Sequence, residues 1–128
     1  MPKQLIIHYN MEQTEFLEKN IFTDLKNLNE GSEIDAVPYF SEDDFEIVLQ
    51  RVEHFGIGVY TIESRLNGEV SEVAAHEDFK KKATDPKWYK KAFLTFKSRQ
   101  PGLSYSATYK VSNKLLAKQN TIGDEELS

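Results

Sequence analysis

The sequence predicts an α+β fold, a small antiparallel sheet packed with helices mainly on one face. Three observations carry this reading. Residues 57–65 are rich in β-branched and aromatic types and run into Asn67-Gly68, the dipeptide that best tolerates the positive φ angles of a type I′ turn; residues 69–75 then return as a second strand, giving a hairpin over 57–75. Residues 103–111 alternate, with Leu103, Tyr105, Ala107, Tyr109 and Val111 on one side and Ser104, Ser106, Thr108 and Lys110 on the other. Between and before these strands, apolar residues recur at helical spacing.

Element by element, residues 4–9 suit a short strand or a first helical turn, leaving room for further strands near the N-terminus. Asn10 is placed to cap a helix, with Gln13 as its reciprocal partner. Leu17, Ile21, Leu25 and Leu28 form its apolar face, and the helix is expected to end near Asn29-Glu30-Gly31. Residues 34–40 suit a strand that Pro38 demotes to an edge or bend. Ser41-Glu42-Asp43-Asp44 is a capping-box-like start; Phe45, Val48, Leu49 and Val52 share one face, and Gly56 stops the helix. Residues 76–83 suit a helical turn. Asp85-Pro86 starts the next helix, Asp as cap and Pro where its missing N–H does no harm. Trp88, Ala92, Phe93 and Phe96 give its apolar face, which ends before Pro101-Gly102. Asn113 is placed to cap a last short helix through Leu115 and Leu116.

The chain of 128 residues reads as one domain over 1–119, with a flexible acidic tail over 120–128. Hydrophobic residues make up 39%, enough for a core. The absence of cysteine excludes disulfides, thiol nucleophiles and Cys-containing metal sites. No apolar run approaches the ~20 residues that span a bilayer, and the apolar stretch near Leu5 is too short for a signal peptide, so a cytoplasmic location is expected.

Charge is segregated. The net charge is −5, but residues 27–78 carry −11 and residues 79–128 carry +7. Residues 27–50 hold seven acids and no base: Glu30, Glu33, Asp35, Glu42, Asp43, Asp44 and Glu46. Such asymmetry steers charged partners, although Glu42, Asp43 and Asp44 also suit the positive end of a helix macrodipole. Residues 79–99 hold eight bases and one acid, with lysines interleaved among Phe79, Trp88 and Tyr89. Lysines and rings together can grip single-stranded nucleic acid. The same rings fall where a core-facing stripe belongs, and the lysines could equally oppose the acidic segment within the fold.

Catalytic patterns are absent. His8, His54 and His76 show no metal-ligand spacing, no Gly-x-Ser-x-Gly elbow occurs, and Gly56-x-Gly58 lacks the third glycine of a phosphate loop. The expectation is a protein that is not an enzyme, with no cofactor, no metal and no small-molecule substrate.

One run reads Glu72-Val73-Ala74-Ala75-His76-Glu77-Asp78-Phe79-Lys80-Lys81-Lys82-Ala83, continuing Thr84-Asp85-Pro86-Lys87-Trp88-Tyr89-Lys90-Lys91-Ala92-Phe93. After a spacer comes Leu103-Ser104-Tyr105-Ser106-Ala107-Thr108-Tyr109. Over residues 55–112 the chain resembles the C-terminal half of CdiI-type immunity proteins, which accompany ribonuclease toxins in contact-dependent growth inhibition. The resemblance implies a bacterial cytoplasmic protein that binds the C-terminal nuclease domain of one cognate toxin and blocks it, with no membrane or nucleic-acid partner. It assigns no residue a role.

Physics supplies the residues. A nuclease cleft is basic, so an inhibitor gains from carboxylates for fast capture and from a buried ring for affinity. Glu33, Asp35, Tyr39, Phe40, Glu42, Asp43, Asp44 and Glu46 place both ingredients in one short stretch, the expected toxin-facing surface. If the toxin is held away from its active site, the lysine helix or the hairpin edge is the interface instead. The alternative functions are a small nucleic-acid-binding regulator using the basic aromatic helix 86–99 and an accessory structural protein with no ligand.

Overall fold

A computed structural model describes residues 12–29 and 37–117. The expectations for residues 4–9, Asn10, Glu30-Gly31, the start of the 34–40 strand and the 120–128 tail lie outside the described residues, as do Glu33 and Asp35. The elements are α1 (12–20), β1 (Phe40–Ser41), α2 (Glu42–Phe55), β2 (Gly58–Leu66), β3 (Glu69–Ala75), a 3-10 turn (His76–Phe79), α3 (Pro86–Arg99), β4 (Ser104–Lys110) and α4 (113–117). The α+β expectation holds. The four strands form one antiparallel sheet in the order β1-β4-β2-β3.

The hairpin follows from its turn. Asn67 and Gly68 both sit at positive φ, 55° and 84°, as the two central residues of a type I′ turn require. Across β2, Ile62 pairs with Ala107 and Ser64 with Tyr105, and across β1, Phe40 pairs with Tyr105, so these side chains share one sheet face. That face carries the core. The Tyr105 ring stacks on Phe45 of α2 at 5.5 Å and meets Phe93 of α3 edge-on at 4.9 Å. Behind α1, Phe22 reaches the same layer, 5.0 Å from Phe40. The helices thus cover one face, and Phe45, Val48, Leu49 and Val52 are buried as their spacing predicts.

Several expectations are corrected. The first helix does not run to Asn29. It stops at residue 20, the chain turns through Asp24 at φ 69°, and Arg51 of α2 donates to the carbonyls of Ile21 and Thr23 at 2.8 and 2.7 Å. Leu28, assigned to the buried stripe, is 36% exposed. The 34–40 strand shrinks to Phe40–Ser41 among the described residues, because Val37–Tyr39 lie outside any ladder after Pro38. The reciprocal cap role expected of Gln13 rests on Asn10 and lies outside the described residues. The Gln13 amide reaches β4, donating to the Tyr109 carbonyl (3.2 Å) and accepting from the Val111 N–H (2.9 Å). A side-chain amide thus stands in for a neighbouring strand where β1 gives out. At α4 the cap is Ser112, whose hydroxyl accepts from the Leu115 N–H, one residue before the expected Asn113.

Candidate functional site

The start of α2 is where the sequence concentrated its acids. Ser41 is the N-cap, extended at φ −61° and ψ 165°, and its hydroxyl accepts from the Asp44 N–H at 3.3 Å. The three first-turn carboxylates then diverge. Glu42 reaches across to accept the Gly102 N–H at 3.1 Å, fastening the α3–β4 turn. Asp44 accepts the Lys26 N–H at 3.3 Å, fastening the α1–β1 connection. Asp43 is exposed and makes no hydrogen bond or ion pair with any described residue. One turn on, Glu46 pairs with Lys97 of α3 at 3.7 Å.

Between these tethers lies an open concavity of about 310 Å³, lined by Leu28, Ser41, Glu42, Asp43, Gly102, Leu103 and Ser104. Its wall is partly apolar and its rim carries two carboxylates. An ammonium or guanidinium group on an aliphatic stem meets both needs, stem on leucine and charge on carboxylate.

The rings expected to anchor a partner are not there. Phe40 is 1% exposed, because its place opposite Tyr105 turns it into the helix-covered core. Tyr39, one residue earlier, points to the other sheet face and lies half-buried over Arg65, 4.9 Å from guanidinium carbon to ring centroid. The exposed apolar residues beside the acids are Leu28 and Val37, at 36% and 39%. They are held together through Asn29, whose amide donates to the Val37 carbonyl, and through the Leu28 N–H, which donates to the Tyr39 carbonyl. Nothing in the sequence marked Leu28 as exposed, since its helical spacing argued the opposite.

The basic helix resolves differently. Trp88, Tyr89, Phe93 and Phe96 of α3 are all buried, so its rings offer no stacking surface. Three of its five cations answer acids of neighbouring elements: Lys90 with Glu53 (2.6 Å), Lys97 with Glu46 and Arg99 with Glu72 (2.6 Å). Lys90, Lys97 and Arg99 therefore oppose the acidic segment within the fold, while Lys87 and Lys91 make no ion pair with a described residue.

A second polar cluster, on the face away from the helices, escaped the sequence reading. Ser106 of β4 is fully buried; its hydroxyl donates to Glu63 (2.8 Å) and accepts from the Arg65 Nε–H (2.9 Å). Arg65 also donates to the Gly68 carbonyl at 2.9 Å, under the Tyr39 ring. Only pairing register brings Glu63, Arg65 and Ser106 together, and register is invisible in composition. Every member is partnered, so the cluster locks the hairpin turn rather than offering a reactive group. His76 is similarly engaged, its Nδ1 2.7 Å from the Lys81 carbonyl.

No family model, curated protein or solved structure matches this chain. Among the described residues, no helix is long and apolar enough to cross a membrane, and no group of three metal-capable side chains converges.

Proposed function

We propose that this chain is an immunity protein, a binding protein without catalysis of its own that captures and blocks a basic partner. In the reading that the resemblance supplies, the partner is the nuclease domain of a cognate toxin, met in the cytoplasm. The observation that carries the proposal is the concavity at the start of α2, where Leu28 and Leu103 form a wall below the carboxylates of Glu42 and Asp43. Asp43, with no partner among the described residues, is the carboxylate best placed to take a lysine or arginine of the partner. Glu42, already bonded to Gly102, holds the rim in shape. The binding surface is thus narrower than the acidic stretch as a whole: Phe40 stays in the core, Tyr39 stays on Arg65, and Leu28 and Val37 supply the apolar contact.

The nucleic-acid reading has less support, since it needs exposed rings on α3 and those rings are buried. The test pairs the chain with the C-terminal nuclease domain of a toxin encoded beside it. The expected result is protection of cells expressing that domain and rapid association that slows with added salt. Asp43→Lys is expected to lower the association rate about tenfold or more, because a reversed charge at the rim repels what it formerly drew. Unchanged capture by that variant removes the concavity from the interface; absence of protection by the wild-type chain ends the immunity reading.

A further inference from the structure

The two edges of the sheet are finished differently. On one side β1 pairs only Phe40 and Ser41 with β4, and the Gln13 amide closes part of what remains. On the other side β3 runs seven residues with β2 on its inner flank and no described element on its outer flank. Its first five residues, Glu69 to Val73, are exposed, with Val70 at 47% and Val73 at 54%. Leu66, at the hairpin end, is 48% exposed.

Hydrogen bonding shows which way the backbone faces. The Ala75 N–H donates to the Asp78 carboxylate rather than to β2, and its pair residue Thr61 donates its N–H to the Thr108 hydroxyl. Ala75 therefore faces the open edge, and by the alternation of an antiparallel strand so does Val73, whose N–H and C=O are left for a partner strand. Such an edge is a template for strand addition unless something covers it.

We infer that a second copy of this chain covers it, β3 against β3 in antiparallel pairing about a two-fold axis at Val73. Three features select a second copy. Antiparallel pairing is the arrangement that a two-fold axis generates, so one strand can serve as both halves of the contact. The pairing sets the exposed valines of the two copies side by side and extends the four strands to a continuous eight. It also sets the acidic start of one β3 beside the basic end of the other. Glu69 makes no ion pair with a described residue, and Lys80, Lys81 and Lys82 are exposed just past the 3-10 turn. The acids of that turn are two, Glu77 and Asp78, and the three lysines outnumber them. The concavity at the start of α2 lies beyond β1, at the opposite edge, so the dimer keeps both concavities open.

Sedimentation equilibrium of the full chain is expected to show a dimer at about 100 μM, dissociating on dilution. Val73→Pro is expected to give a monomer with an unchanged circular-dichroism spectrum, because the lost N–H faces away from β2. Glu69→Lys and Lys81→Glu are each expected to weaken dimerisation about tenfold, every change counting twice across the axis, and the double variant to restore it. A monomeric wild type overturns the proposal. So does a dimer that survives Val73→Pro, or, if that variant does not fold, charge reversals that fail to compensate.

Discussion

Tyr105 carries a fully buried hydroxyl with no hydrogen-bond partner among the described residues, wedged among Phe45, Phe93 and Phe96. Burial, helped by the charge of Glu42, pushes its pKa from 10.0 up to about 12. The folded state therefore holds the proton more tightly than the unfolded chain. That contribution to stability is complete below pH 10 and is lost as pH climbs through 12. Tyr105→Phe deletes the orphan polar atom and keeps the ring. Urea unfolding at pH 7 is expected to show equal or greater stability, by up to about 1–2 kcal/mol, and scans above pH 10 a shallower alkaline decline. Arg65 is the opposite case, a cation whose removal strands Glu63, Ser106 and the Gly68 carbonyl together. Arg65→Ala is expected to cost about 2–4 kcal/mol by the same measurement, and Arg65→Lys to recover little, since an ammonium cannot reproduce the guanidinium fork. Of the residues expected to face a partner, Asp43 and Glu46 were readable as exposed carboxylates. Phe40 was misread because a ring flanked by acids looks like a surface anchor until strand pairing assigns its face.

Elements with a local punctuation mark were legible. Ser41 and Gly56 bound α2, Asp85-Pro86 starts α3, and Asn67-Gly68 turns the hairpin. Each of these signals acts within a turn's length of itself. Where an element ends for a distant reason, the pattern misleads. α1 stops at residue 20 with no glycine or proline to announce it, and the carbonyls beyond it are taken up by Arg51, some 30 residues on. Two substitutions separate the local from the distant kind. Ser41→Ala removes one cap bond and is expected to cost about 1 kcal/mol. Gln13→Ala leaves the Tyr109 carbonyl and the Val111 N–H unpaired beside buried Val111, and is expected to cost about 1–3 kcal/mol in denaturant unfolding.

Across the whole molecule the segregated charge of the sequence is folded back on itself. Lys90, Lys97 and Arg99 of α3 meet Glu53, Glu46 and Glu72. These pairs are largely exposed and worth little each, so high salt is expected to leave the unfolding midpoint nearly unmoved. Of the carboxylates at the start of α2, Asp43 is the one that internal pairing leaves over among the described residues, and there salt is expected to act on association instead. The opposition of α3 to the acidic helix was among the readings that the composition allowed. The outer-face cluster was not, because it depends on register, and the hairpin edge named as an alternative interface takes its identity as β3 only from strand order.

Strand order also sets a schedule for the nascent chain. β4 lies between β1 and β2, yet it is the last of the described strands to be synthesised. The β2–β3 hairpin can zip as soon as residue 75 clears the ribosome, while β1 and the inner flank of β2 wait for residues 104–110. Gln13 waits longest, joining partners 96 and 98 positions downstream. Closing so long a loop makes the acquisition of β4 a late and entropically demanding step. Until then the apolar side of the hairpin is exposed, and the rate at which residues 76–110 are translated governs how long.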